Sequence, residues 1–74
     1  MKKTYVQVDS VRSKRGWLIP TRICMPDGEC WDVENVLYAS VSYDGEYEGI
    51  RYIVTINKGQ EYLYRTGQTW YVMT

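Results

Sequence analysis

Turn signals arrive along this chain too often for a helix to fit between them. Lys14-Arg15-Gly16, Pro26-Asp27-Gly28, Asp44-Gly45, Asn57-Lys58-Gly59 and Thr66-Gly67 are corners of glycine with polar, basic or proline residues. The segments between them hold no i, i+3, i+4, i+7 apolar pattern. They are rich in Tyr, Trp, Val, Ile and Thr and poor in Ala and Leu, which favours a pleated, half-buried backbone. Short strands at regular turn spacing read as a small sandwich or barrel.

The spacing predicts strands over residues 4–11, 17–25, 29–33, 36–43, 50–57, 60–65 and 69–73, with 29–33 and 36–43 either separate or one strand bent near Glu34-Asn35. Val6 and Val8 alternate with Tyr5, Gln7 and Asp9. Leu37, Ala39 and Val41 alternate with Tyr38, Ser40 and Ser42, and Tyr52, Val54 and Ile56 with Arg51, Ile53 and Thr55. Each set implies one buried and one wet face. Pro20 has no N–H to donate, so its strand is expected to be an edge or bulged there. Residues 44–49 (DGEYEG) read as an acidic, mobile loop.

A chain of 74 residues has room for one domain, residues 1–74, with a thin stability margin. Closing the sheet removes most exposed edges. The expected fold is all-β, a small antiparallel barrel of five to six strands. An SH3-like barrel comes first. An OB-like barrel comes second, because no helix is available for the usual crossover.

Both cysteines stand on the shoulders of one turn, CMPDGEC at 24–30. Pro26 and Asp27 suit the two corners of a type I turn and Gly28 the left-handed position after it, a three-residue hairpin loop with a bulge. That loop sets Met25 opposite Glu29, Cys24 opposite Cys30, Ile23 opposite Trp31, Arg22 opposite Asp32 and Thr21 opposite Val33. Ile23, Trp31, Thr21 and Val33 then share the apolar face. The two sulfurs become neighbours within bridging range. Met1-Lys2-Lys3 is followed by Thr-Tyr-Val-Gln-Val-Asp rather than an apolar stretch, so a cytoplasmic chain with reduced thiols is expected. Zinc wants four ligands, and the chain has two cysteines and no histidine.

The missing histidine also removes the commonest general base, and no nucleophile motif or phosphate-binding glycine loop is present. The sequence therefore reads as a non-enzyme without cofactor or metal. The net charge is zero, which argues against bulk attraction to nucleic acid or anionic lipid, and no apolar run approaches a membrane span. The charge is segregated along the chain. Residues 1–22 carry six basic side chains against Asp9, and residues 23–50 carry seven acidic ones and no basic one.

What remains is aromatic surface. The chain has three tryptophans, eight tyrosines and no phenylalanine. Tyr62 and Tyr64 share one face of their strand. A two-residue turn at Lys58-Gly59 pairs Ile53 with Tyr64 and Thr55 with Tyr62, opposite Val54 and Leu63. A three-residue loop turns the tyrosines toward the core instead.

The stretches PDGECWDVENVL, GIRYIVTINKGQEYLY and TWYV resemble a family of small proteins of anaerobic Gram-positive bacteria. Its pattern is a D-G turn, R-Y-x-V-x-I, Y-L-Y and a closing W-[FY]-V, and it spans the chain from Tyr5-Val6 to Val72. Cys24 and Cys30 depart from it. The resemblance implies a strand-and-turn fold and carries no activity.

Two functions fit these residues. The first is a non-catalytic protein-binding or self-associating module, since Tyr, Trp and Arg anchor protein interfaces. The second is a binder of single-stranded nucleic acid, with Arg12, Lys14 and Arg15 as a basic loop beside Trp17 and with Tyr62 and Tyr64 as stacking platforms.

Overall fold

The computed structural model describes residues 2–42, 45 and 47–74. Tyr43, Asp44 and Glu46 lie outside them, and with them the end of the expected strand 36–43 and part of the expected loop 44–49. Seven antiparallel strands follow in order: β1 (Lys3–Arg12), β2 (Leu18–Cys24), β3 (Cys30–Asp32), β4 (Asn35–Val41), β5 (Ile50–Ile56), β6 (Gly59–Thr66) and β7 (Thr69–Met73). The described residues contain no helix.

One sheet holds them all, in the order β3-β2-β1-β7-β6-β5-β4. Its two edge strands, β3 and β4, are consecutive in the chain and joined only by Val33 and Glu34. The Val33 N–H donates to Thr21 O at 2.9 Å, on the β2 side, and the Glu34 N–H donates to Thr55 O on β5 at 2.8 Å. One bent ribbon thus serves both ends of the sheet and holds it curled. Val33 and Glu34 keep β3 and β4 apart, so seven strands stand where a barrel of five to six is expected.

The concave side gathers Ile23, Tyr52, Val54, Leu63 and Trp70, ringed by Val6, Val8, Leu18, Val36, Ile50, Ile56 and Val72. Tyr52 packs against Trp70 with ring centres 5.5 Å apart. Its hydroxyl donates to Leu18 O at 2.9 Å, so the buried polar tip is satisfied.

Two bulges set which side chains reach this core. In β2 the register against β1 shifts between Asp9 and Ser10, leaving Thr21 as the additional residue. The shift changes the parity of the strand, so Ile23 and Pro20 both point inward. Pro20 therefore sits beside a bulge, as its missing N–H requires. Thr21 leaves the apolar face expected for it, and its hydroxyl donates to Asp9 O at 3.1 Å. In β4 the shift falls between Val36 and Tyr38, with Leu37 as the additional residue. Val36 and Ala39 pack on the core while Leu37 and Val41 are exposed, which corrects the alternation expected for Leu37, Ala39 and Val41.

The β2–β3 hairpin has the expected register: Cys24 opposite Cys30, Ile23 opposite Trp31 and Arg22 opposite Asp32. The Met25 N–H donates to Glu29 O, the Gly28 N–H donates to Met25 O, and Gly28 has φ +94°. Cys24 and Cys30, expected to lie within bridging range, are joined by a disulfide. The reason is local. Met25–Glu29 is a hydrogen-bonded pair, so the next pair is the narrow, unbonded kind in which side chains approach most closely. Its Cα atoms are 4.0 Å apart.

The β5–β6 hairpin differs from both expected registers. Its turn is Asn57-Lys58, both residues at positive φ, with Ile56 opposite Gly59, Ile53 opposite Tyr62 and Arg51 opposite Tyr64. This is a two-residue type I′ turn placed one residue earlier than Lys58-Gly59. The Lys58 N–H donates to Glu34 Oε1 at 3.0 Å and ties the turn to the bend between β3 and β4.

Candidate interaction surface

The registers of β1, β7, β6, β5 and β4 place one row of side chains across the convex side of the sheet. Tyr5 stands opposite Tyr71, Tyr71 opposite Tyr64, Tyr64 opposite Arg51 and Arg51 opposite Ser40. Beside this row Tyr38 stands opposite Ile53 and Ile53 opposite Tyr62. Paired residues in antiparallel strands share a face, so these side chains form one surface turned away from the core.

The middle of that surface is a second packed layer. The rings of Tyr64 and Tyr71 stack with centres 4.9 Å apart and planes within 2°. Both are buried although they point away from the barrel. Tyr47, from the β4–β5 connection, meets Tyr64 edge-on at 5.6 Å. Its hydroxyl donates to Ser40 O at 3.2 Å. The Arg51 guanidinium lies 4.6 Å from the Tyr47 ring centre and 4.7 Å from that of Tyr62. Lys3 Nζ lies 4.7 Å from the Tyr71 ring centre. Such cation–ring contacts contribute about 0.5–1 kcal/mol each at partly exposed sites.

Around this layer stand three open rings: Tyr5, Tyr38 and Tyr62 are 58%, 62% and 50% exposed. Tyr5 packs edge-on against Tyr71 at 6.1 Å and Tyr62 edge-on against Tyr64 at 6.5 Å. Rings held this way lose little freedom when a partner covers them. Tyr62 and Tyr64 do share a face, as their spacing requires, yet only Tyr62 is available to a partner. Tyr5, Tyr38, Tyr47, Arg51 and Tyr71 complete the surface, and sequence reasoning did not assign them to it. Strand register, pairing residues from five strands, joins all of them but Tyr47, which comes from the β4–β5 connection.

Arg12, Lys14, Arg15 and Trp17 gather elsewhere, at the β1–β2 turn. The Ser13 N–H donates to Trp17 O at 2.8 Å and the Gly16 N–H to Ser13 O at 3.0 Å. The Trp17 N–H donates to Ser13 Oγ at 3.1 Å. Arg12 Nη1 donates to Gly16 O at 2.8 Å, which commits that guanidinium to its own turn. Trp17 is exposed. Tyr5 stands near the start of β1 and Arg12 ends it, so at about 3.3 Å per residue they are roughly 20 Å apart along the strand. The structure does not bring the basic turn and the tyrosines into one site.

Among the described residues, no group of three or more His, Cys, Asp or Glu is placed to hold a metal ion, and no helix is long and apolar enough to cross a membrane. No family model, curated protein or solved structure matches this chain.

Proposed function

We propose that this domain is a non-catalytic protein-binding or self-associating module whose contact surface is the convex tyrosine face. One observation carries the reading: Tyr64 and Tyr71 are buried in a stack on the side of the sheet away from the core, open Tyr5 and Tyr62 pack edge-on against it, and open Tyr38 shares the same face. A sheet that needs only one buried face has a second aromatic layer on the other. Tyrosine on a rigid support gives large contact area at low entropic cost, as interface anchors require.

The nucleic-acid reading rests on exposed Trp17 beside Lys14 and Arg15. It ranks second because these residues lie apart from the tyrosines and Arg12 is bonded to its own turn. Single-strand affinity that falls steeply with salt would raise it.

The remaining proposals follow the same line. The domain is read as an SH3-like barrel, supported by its size and by the bent β3–β4 ribbon shared by both ends of the sheet. It is read as a member of the small bacterial family it resembles, acting in the cytoplasm. Reducing conditions there would keep Cys24 and Cys30 open and leave the bridge to form on oxidation. Alkylation of thiols before cell lysis tests this: modification at both cysteines is expected, and protection of both would place the protein in an oxidising compartment.

The functional test compares the wild type with Tyr5→Ser/Tyr38→Ser. Sedimentation across a concentration series reads self-association, and parallel affinity capture with both baits reads a partner. Association is expected to weaken about tenfold in the variant, with a stability loss of no more than about 1.5 kcal/mol from the Tyr5–Tyr71 edge contact. A monomer at every concentration, with identical capture by both baits, would end the reading.

A further inference from the structure

The curled sheet is open at one end. There the β2–β3 hairpin faces the β5–β6 turn and the end of β7 across a cleft of about 400 Å³. Ile23 and Leu63 reach it from the core, and Met25, Ile56 and Trp31 form its apolar walls. A cleft of this size can hold a small ligand or a single side chain.

Among the described residues, Glu61 is the one charged side chain lining it. The registers show how it comes to be there. Tyr52 stands opposite Leu63 and Val54 opposite Glu61, so Glu61 continues the row that points into the barrel. It stands at the open rim of that row and is exposed to solvent, next to the apolar lining. Trp31, opposite buried Ile23, leaves part of its indole open at the same mouth.

We propose that this cleft binds an aliphatic cation, and that the occupant is a lysine side chain projected by a protein partner. The apolar walls take the methylene stem, while Glu61 and the indole of Trp31 attract the ammonium. An anionic side chain would be repelled by Glu61, and a neutral one would forgo the attraction of both Glu61 and the indole. Tyr62 lines the cleft and also touches Tyr64 on the convex face, so the two surfaces are continuous. The choice of a partner's lysine rests on the protein-binding reading; the choice of a cation rests on the cleft alone.

The test is a titration of the isolated protein with Nα-acetyl-lysine-N-methylamide and with its norleucine counterpart, followed by NMR at the methyl groups of Ile23, Met25, Ile56 and Leu63. The lysine probe is expected to bind at least about threefold more tightly than the neutral one, the ratio a single cation–ring contact supplies. Glu61→Gln should reduce that preference while leaving the norleucine shifts unchanged, and its amide spectrum away from the cleft should superpose on the wild type. Trp31→Leu should narrow the preference independently. Equal binding of both probes, no shifts with either, or an undiminished preference in Glu61→Gln would overturn the proposal. No partner is present in this titration, and Tyr5 and Tyr38 do not line the cleft, so its failure is distinguishable from failure of the protein-binding reading.

Discussion

Two glycines with similar backbone angles show how much a single residue's surroundings decide. Gly28 and Gly49 have φ of +94° and +78°. A Cβ at Gly28 would meet nothing within 4 Å, whereas one at Gly49 would collide with the backbone carbonyl of Arg65. Gly28→Ala therefore bears only the left-handed penalty, about 1–2 kcal/mol. Gly49→Ala bears that penalty and must also push the β4–β5 connection away from β6. Its cost is expected to exceed that of Gly28→Ala by at least about 1 kcal/mol, the scale of overpacking. Urea unfolding of the two variants checks this, and equal midpoints would mean that the connection does not rest on Arg65.

At the scale of strands and turns, the sequence is legible where chemistry leaves one geometry and illegible where it leaves two. Pro26-Asp27-Gly28 admits one loop length, and the pairings Cys24–Cys30, Ile23–Trp31 and Arg22–Asp32 expected from it are present. Asn57-Lys58-Gly59 admits several, because a two-residue slip keeps every side chain on its face and the hydrophobic pattern cannot detect it. In β4 the adjacent apolar pair Val36-Leu37 hides the bulge, since either residue could begin an alternating set. The row Tyr5–Tyr71–Tyr64–Arg51 was illegible for a related reason: it exists only once four strands are in register. The observed turn makes a prediction of its own. Lys58 holds φ +67°, where glycine is favoured in a type I′ turn, and its N–H serves Glu34. Lys58→Gly keeps that N–H and relieves the left-handed strain, less the added freedom of glycine in the unfolded chain. A gain of roughly 0.5 kcal/mol is expected, seen as a melting point a few degrees higher. A lower melting point would argue for a turn centred on Lys58-Gly59.

The molecule as a whole is small and compact but flattened: its extents are 33 × 32 × 23 Å and its radius of gyration is 11.7 Å, against about 11 Å for a compact chain of this length. A core of this size gives little stability to spare. The convex layer supplies a share of what the concave one lacks, because Tyr71 is 3% exposed, close to Tyr52 at 2%. An outward-facing residue on an ordinary one-sided sheet can be truncated at little cost, within about 0.5 kcal/mol. Here Tyr71→Ala removes the stacking partner of Tyr64, the edge contact of Tyr5 and the ring beneath Lys3. Its expected cost is about 3 kcal/mol, the scale of a large aromatic truncation in a core, and comparable to Leu63→Ala at about 2–5 kcal/mol. Denaturant unfolding of both variants measures it. A cost for Tyr71→Ala under about 1 kcal/mol would reduce the convex tyrosines to surface decoration and remove the rigid support on which the proposed interface depends.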